Sequence, residues 1–160
     1  MTNPAAARPT MNHSTSVLCP IDFSPASLAA IPLAIDQAQS RQAVLDLLHV
    51  WQPGREYSGD GPPIPFAAEQ PTERIENDLA SLFQGDLILP EGMQVRFHVT
   101  SGGPADDIVN LATELNSALV VMGTHARRGV RHWIIGSVCE PVLRHCPCPV
   151  LITRGPEQPG

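Results

Sequence analysis

Residues 123–137, Gly-Thr-His-Ala-Arg-Arg-Gly-Val-Arg-His-Trp-Ile-Ile-Gly-Ser, hold the residue types in this chain best able to do chemistry. They follow an apolar run, residues 118–122, and precede residues 138–145, which read as a helix. The stretch is therefore a loop from a buried strand to a helix N-terminus. Gly123 ends the strand, and Gly136 and Ser137 open the helix. A helix start presents unpaired N–H groups and the positive end of the helix dipole. Glycine lets an anion come close to that backbone. The chemistry suggested is the holding of an anion, foremost the phosphates of a nucleotide. Arg127, Arg128 and Arg131 would add positive charge beside phosphates, although a surface arginine is by default a solvated one. His125 and His132 have no partner in the sequence for catalysis, and a backbone contact from His125 is the modest expectation. Glu140 stands three residues after Ser137, the spacing of a capping box.

The elements that must position this loop can be read in order. Residues 17–21 form a first strand, closed by Asp22-Phe-Ser-Pro25. Ser24 suits an N-cap and Pro25 the first helical position. The helix runs to about Gln39, with Leu28, Ile31, Ala34, Ile35 and Ala38 on one face. Pro32 removes a backbone hydrogen bond and is expected to kink or shorten it. Residues 43–50 form the second strand. Residues 51–68, rich in Gly and Pro, make a loop of a length that is often functional. Residues 69–84 form the second helix, with Ile75, Leu79, Leu82 and Phe83 inward and Gly85 as its end. Residues 94–100 alternate as a half-buried or edge strand does. Residues 104–116 form the third helix, with Ile108, Val109, Leu111, Ala112 and Leu115 inward. Its first turn holds Asp106 and Asp107, which suits the dipole. Residues 118–122 are the fourth strand, residues 138–145 the fourth helix and residues 149–154 the fifth strand.

Such alternation gives a parallel sheet with helices on both faces. Ligands bind these sheets at the carboxyl ends of the strands, where the strand order reverses. Those ends are Asp22, Val50 and Gly123, which would converge on one crevice. Asp22 would accept from a ribose hydroxyl or help hold a metal beside phosphates; as a plain turn residue it precedes a cap. Pro20, Ile21 and Val50 would line an adenine pocket, with Val50 backbone groups reading the base edge. No internal repeat or second domain is visible. The expected organisation is a flexible lead over 1–15, a domain over 16–154 and a flexible tail over 155–160.

A chain of 160 residues can bury a sizeable core in one domain. A net charge of −6 without a basic stripe argues against a general nucleic-acid binder. With 4% aromatic residues, stacking platforms for single strands find no support either. Cys19 lies in an apolar strand, Cys139 on a helix, and Cys146 and Cys148 flank Pro147. No Cys-x-x-Cys pair occurs and the histidines lack ligand spacing, so no metal site is expected; reduced thiols in a cytosolic protein are favoured. For Cys146-Pro-Cys148, packing is favoured over metal binding or redox sensing. Residues 1–16 lack the apolar core of a secretory signal, and no run is long enough to cross a membrane. The expected location is the cytoplasm.

Several short fragments, in order, carry a resemblance. Gly123-Thr-His, Arg127-Arg-Gly129, Gly136-Ser-Val138, Val142-Leu-Arg144 and Cys148-Pro-Val-Leu151 resemble the universal stress protein family. Upstream, Pro20-Ile-Asp-Phe-Ser24, Leu48-His-Val50 and Gly103-Pro-Ala105 with Ile108 are similar to that family's first strand, second strand and third helix start. The resemblance spans about residues 16–154. It implies a single-domain α/β fold, an open five-stranded parallel sheet of order 3-2-1-4-5. It also implies a homodimer formed through the fifth strand, residues Pro149, Val150, Leu151, Ile152 and Thr153; an exposed apolar edge wants a partner. The ATP-binding motif of the family is Gly, two residues, Gly, nine residues, Gly, then Ser or Thr. Here Ala126 stands for the second glycine. If that position needs positive φ, Ala costs roughly 1–2 kcal/mol that Gly does not.

The resemblance assigns nucleotide contacts to Pro20, Ile21, Asp22, Val50 and Met122. It continues them through Gly123, Thr124, His125, Ala126, Arg127, Arg128 and Gly129, and then Gly136, Ser137, Val138 and Cys139. The leading reading is a stress-response or regulatory protein that binds ATP, with Mg2+ as an optional companion, and acts as a homodimeric switch. No general base or arginine finger is placed, so slow hydrolysis is the most that enzyme chemistry extends to. A second reading, favoured by Ala126, is a nucleotide-free dimeric interaction protein that works through its dimer surface or the 51–68 loop. A third, a nucleotide-using transferase or amidating enzyme, lacks its motifs: Ser101-Gly-Gly103 follows the third strand rather than the first.

Overall fold

The structure, a computed structural model, describes residues 15–53, 72–85, 87–124 and 136–156. Strands and helices alternate as β1 (Ser16–Pro20), α1 (Pro25–Arg41), β2 (Val44–Trp51), α2 (Thr72–Ser81), β3 (Val95–Ser101), α3 (Pro104–Glu114), β4 (Ser117–Thr124), α4 (Cys139–His145) and β5 (Val150–Arg154). The five strands form one parallel sheet of order β3-β2-β1-β4-β5. The chain winds outward from β1 to β3, then returns to lay β4 and β5 on the other side. The order therefore reverses between β1 and β4.

Side chains alternate across the central strands, so each face needs its own cover. On one face Val17, Cys19, Leu45, Leu47 and Val121 pack against Ile31, Ala34 and Ala38 of α1 and Ile75 and Leu79 of α2. On the other, Leu18, Leu48, Val120 and Met122 pack against Ile108 and Ala112 of α3 and Cys139 and Val142 of α4. The expected strand order and two-layered cover are both present.

Several local expectations change. Pro32 does not shorten α1, which runs two residues past Gln39. Pro32 is exposed, so the carbonyl it leaves without an N–H partner lies on the solvent side. Ser24 caps α1 as expected, its Oγ accepting the Ser27 N–H at 3.2 Å. The second helix is shorter than 69–84 and gives way to turns after Ser81; residues 69–71 lie outside the described ones. β4 continues through Gly123 to Thr124 instead of ending at the glycine. The Ser137–Glu140 capping box does not form. The Glu140 N–H already bonds Gly136 O at 3.1 Å, so it is not left for the Ser137 side chain, which stands one residue before the cap. Val138 is the cap, without a side-chain bond, and Glu140 pairs with Arg144 at 2.9 Å.

Strand pairing also runs one residue beyond 154, where the Gly155 N–H donates to Thr124 O at 3.1 Å. Gly123 and Gly155 both press on the first turn of α1. A Cβ on Gly123 would stand 1.9 Å from Ala26 O, and one on Gly155 would stand 2.6 Å from Ala26 Cα. Neither position has room for a side chain, so these glycines let α1 seat against the β4–β5 pair.

One polar group is built into the sheet. Asp46, fully buried in β2, accepts from Ser16 Oγ at 2.6 Å, from Arg96 Nε and Nη2 at 2.7 and 2.9 Å, and from His98 Nε2 at 2.7 Å. Burial pushes this carboxyl up, but the bonds from His98, Arg96 and Ser16 outweigh it and hold it below the ordinary carboxylate value. Ser117 Oγ extends the group, 3.2 Å from Ser16 Oγ. Sequence reasoning read residues 43–50 as the second strand, gave Asp46 no role and missed this cluster.

Candidate functional site

A cleft of about 330 Å³ opens at the carboxyl ends of β1, β2 and β4, over the point where the strand order reverses. Pro20, Ile21 and Asp22 enter it from the end of β1, Leu48, Val50 and Gln52 from β2, and Met122, Gly123 and Thr124 from β4. Gly136, Ser137, Val138 and Cys139 close it from the start of α4, and Pro104 and Ile108 from α3. Four stretches singled out from sequence, at 20–22, 50, 122–124 and 136–139, are thus gathered around one cavity. Ser27, Leu48, Gln52, Pro104 and Ile108 line it as well and were not anticipated. Gln52 had a signal: it lies just past the carboxyl end of a predicted strand. His125, Ala126, Arg127, Arg128, Gly129, Arg131 and His132 lie outside the described residues.

The end of β1 is held firmly. The Ile21 N–H donates to Leu48 O at 2.7 Å, and Ile21 O takes the proton of His49 Nδ1 at 2.8 Å. A carbonyl only accepts, so this bond places the His49 ring proton on Nδ1. Burial keeps the imidazole below its ordinary pKa and therefore neutral at pH 7. Beyond Ile21, Asp22 Oδ1 accepts the Ser24 N–H at 3.0 Å, and the Asp22 N–H donates to Ser27 Oγ at 3.2 Å. Asp22 is thus a turn residue, and its exposed carboxylate also stands in the cleft lining.

The polar atoms on the far side are arranged differently. Among the described residues Thr124 Oγ1 is buried and no group stands at hydrogen-bonding geometry to it. The Cys139 thiol lies near it but directs its weak donor to Gly123 O at 3.8 Å. Burial raises that thiol, so it is protonated at neutral pH. Among the described residues, the buried side-chain oxygens lacking a partner are those of Thr124, Thr100 and Asp107. All three stand at the carboxyl end of the sheet, at the ends of β4 and β3 and in the first turn of α3.

The two described motif glycines are not equivalent. Gly123 is demanded by its contact with Ala26. At Gly136 an added Cβ would meet only Thr124 Oγ1, at 3.7 Å, an ordinary contact among the described residues. α4 has seven residues, so its dipole is short. An anion here would depend on individual N–H groups more than on the helix as a whole.

The remaining expectations concern edges and ions. β5 pairs with β4 on one side only and is an edge strand whose residues Val150 to Thr153 are half-buried. Among the described residues no three His, Cys, Asp or Glu side chains gather as metal ligands, and no helix is long and apolar enough to cross a membrane.

Comparison with known proteins adds the following. The model of the universal stress protein family matches residues 14–154. The universal stress protein YxiE of Bacillus subtilis is 30% identical over 146 residues, covering 86% of this chain and 97% of YxiE. Among solved structures, the universal stress protein UspA from Lactobacillus plantarum superposes with a TM-score of 0.63 at 22% identity, covering 88% of this chain and 98% of UspA. A universal stress protein solved in complex with cAMP superposes with a TM-score of 0.60 at 22% identity, covering 88% and 97% of the two chains.

Proposed function

This chain belongs to the universal stress protein family, and from that premise we propose that it is a regulatory protein that binds an adenine nucleotide, ATP, in the cleft between β1 and β4. The observation that carries the reading is the gathering of Asp22, Val50, Thr124 and Gly136, from four separate stretches, around one cavity at the topological switch point. A cavity of about 330 Å³ falls within the usual range for small-molecule sites, though at its low end. Thr124 Oγ1, without a partner among the described residues and 3.7 Å from where a Gly136 Cβ would stand, supports a polar ligand at this point. The cAMP complex of a structural neighbour points to the same ligand class.

In this reading Pro20, Ile21 and Val50 hold the base, and Asp22 accepts from the ribose. Thr124, Gly136 and Ser137 meet the phosphates, with Met122, Gly123, Val138 and Cys139 forming the wall. His125, Ala126, Arg127, Arg128 and Gly129 complete the phosphate side. Magnesium would ride on the phosphates, since Asp22 is the single carboxylate among the described lining residues and cannot form a cage alone. Two chains would pair through the open edge of β5, at Pro149, Val150, Leu151, Ile152 and Thr153, giving the homodimeric switch. The nucleotide-free reading keeps one specific point in its favour, the substitution of Ala126 for a motif glycine.

The test is nucleotide content. The protein is purified gently and denatured, and its supernatant is chromatographed. Emptied protein is then titrated with ATP, with and without magnesium. The expected result is a saturable ATP site that is lost in folded Gly136→Asp and Ser137→Glu variants. A protein that stays empty at millimolar ATP would sink the proposal and leave the interaction reading.

A further inference from the structure

α4 and β5 are joined by four residues, Cys146-Pro147-Cys148-Pro149. Both ends of this connection are pinned. The Cys146 N–H closes α4 on Val142 O at 2.8 Å, and Pro149 O accepts the Val120 N–H at 3.0 Å. Pro147 fixes one of the few backbone torsions between them. The result is that Cys146 Sγ and Cys148 Sγ face each other at 3.6 Å, both thiols free and both half-exposed. Closing a disulfide would need the sulfurs to approach to about 2.05 Å, a movement of side chains. The other two cysteines lack this setting: Cys19 and Cys139 are buried, and neither has a second thiol beside it among the described residues.

We propose that Cys146 and Cys148 are a redox-modification site, a dithiol that a small soluble disulfide such as oxidised glutathione converts into an intramolecular disulfide. In the first step Cys146 gives its proton to water, and its thiolate attacks one sulfur of the small disulfide. That S–S bond breaks, a small thiolate leaves and takes up a proton, and a mixed disulfide forms on Cys146. In the second step Cys148 loses its proton to solvent, and its sulfur displaces the remaining small thiol from Cys146. Two protein thiols thus lose two electrons and two protons, and the small disulfide gains them and leaves as two thiols. The order follows from surroundings. Burial, and then the neighbouring Cys146 sulfur, push the Cys148 thiol up to about 12, so it is a poor first attacker. As the second attacker it already lies beside its target, which makes that step intramolecular.

The test uses the full chain, reduced and then equilibrated in glutathione buffers of rising oxidised fraction. Samples are quenched in acid, denatured, alkylated and weighed. The expected result is a single transition from four alkylated cysteines to two, with Cys19 and Cys139 still alkylated. Cys148→Ser should accumulate the glutathione adduct on Cys146 to about ten times the wild-type level, because nothing resolves it. Four alkylated cysteines throughout the series, or a wild-type adduct as persistent as that of Cys148→Ser, would overturn the proposal.

Discussion

At the amino end of β2, Asp46 meets four donor atoms, and every acceptor direction of its carboxylate is used. Four residues later on the same strand, roughly 13 Å away and on the same face, Val50 borders a cleft whose Thr124 Oγ1 meets none among the described residues. One sheet face therefore carries two polar regions of opposite kind. The first is complete within the protein and ties β1, β2 and β3 together. The second leaves Thr124 Oγ1 without a partner among the described residues and is where the proposed ligand would sit. A buried polar cluster that satisfies itself belongs to the scaffold, whereas one that does not is a place for something else.

The largest test of this contrast removes the carboxylate. Asp46→Ala leaves Arg96, His98 and Ser16 without their acceptor and should cost about 3 kcal/mol in denaturant unfolding, Arg96 itself being able to turn to solvent. ATP affinity of the protein that remains folded should not change. If affinity falls in step with stability, the two regions are one unit and the comparison fails. Next comes Gly123→Ala, which drives a methyl into Ala26 O. A loss of at least about 1–3 kcal/mol is expected in the same measurement, with or without ATP present.

Acid provides a milder probe of the same region. The Asp46 pKa is lowered in the folded state, so its contribution is present above the unfolded carboxylate value of about 3.9 and is lost as pH falls through the folded value. Stability should therefore fall on acidification below about pH 4, and less steeply in Asp46→Asn, as followed by unfolding midpoints across a pH series. The smallest effect on folding, and the sharpest on the site, belongs to Gly136→Ala. Stability should stay within about 0.5 kcal/mol while ATP affinity drops about tenfold in a titration. An unchanged affinity would remove Gly136 from the site.

Much of this was legible in the sequence. Periodicity and caps such as Ser24-Pro25 gave the order of elements, because each helix must bury a stripe and each central strand two faces. Convergence of Asp22, Val50 and Gly123 followed from the rule for parallel sheets, without any contact being known. What escaped has physical reasons. Asp46 looks like an interruption in an apolar strand until register places Arg96 beside it and His98 within reach, and register is not a local property. The capping box failed because hydrogen bonding began at Gly136, one residue earlier than the serine suggests. Leu48, Pro104 and Ile108 reach the cleft as apolar wall, a role that residue type alone does not separate from ordinary core packing.

The seat of Ala26 between Gly123 and Gly155 bears on how such loops change over generations. Gly123 answers to the helix beneath it, so a descendant that no longer met any nucleotide would still have to keep it. Gly136 carries no such debt among the described residues and would be among the first positions to drift once a ligand was abandoned. Two glycines of one loop thus answer to different constraints: the first to the packing of α1, and the later one, under the proposed function, to the ligand.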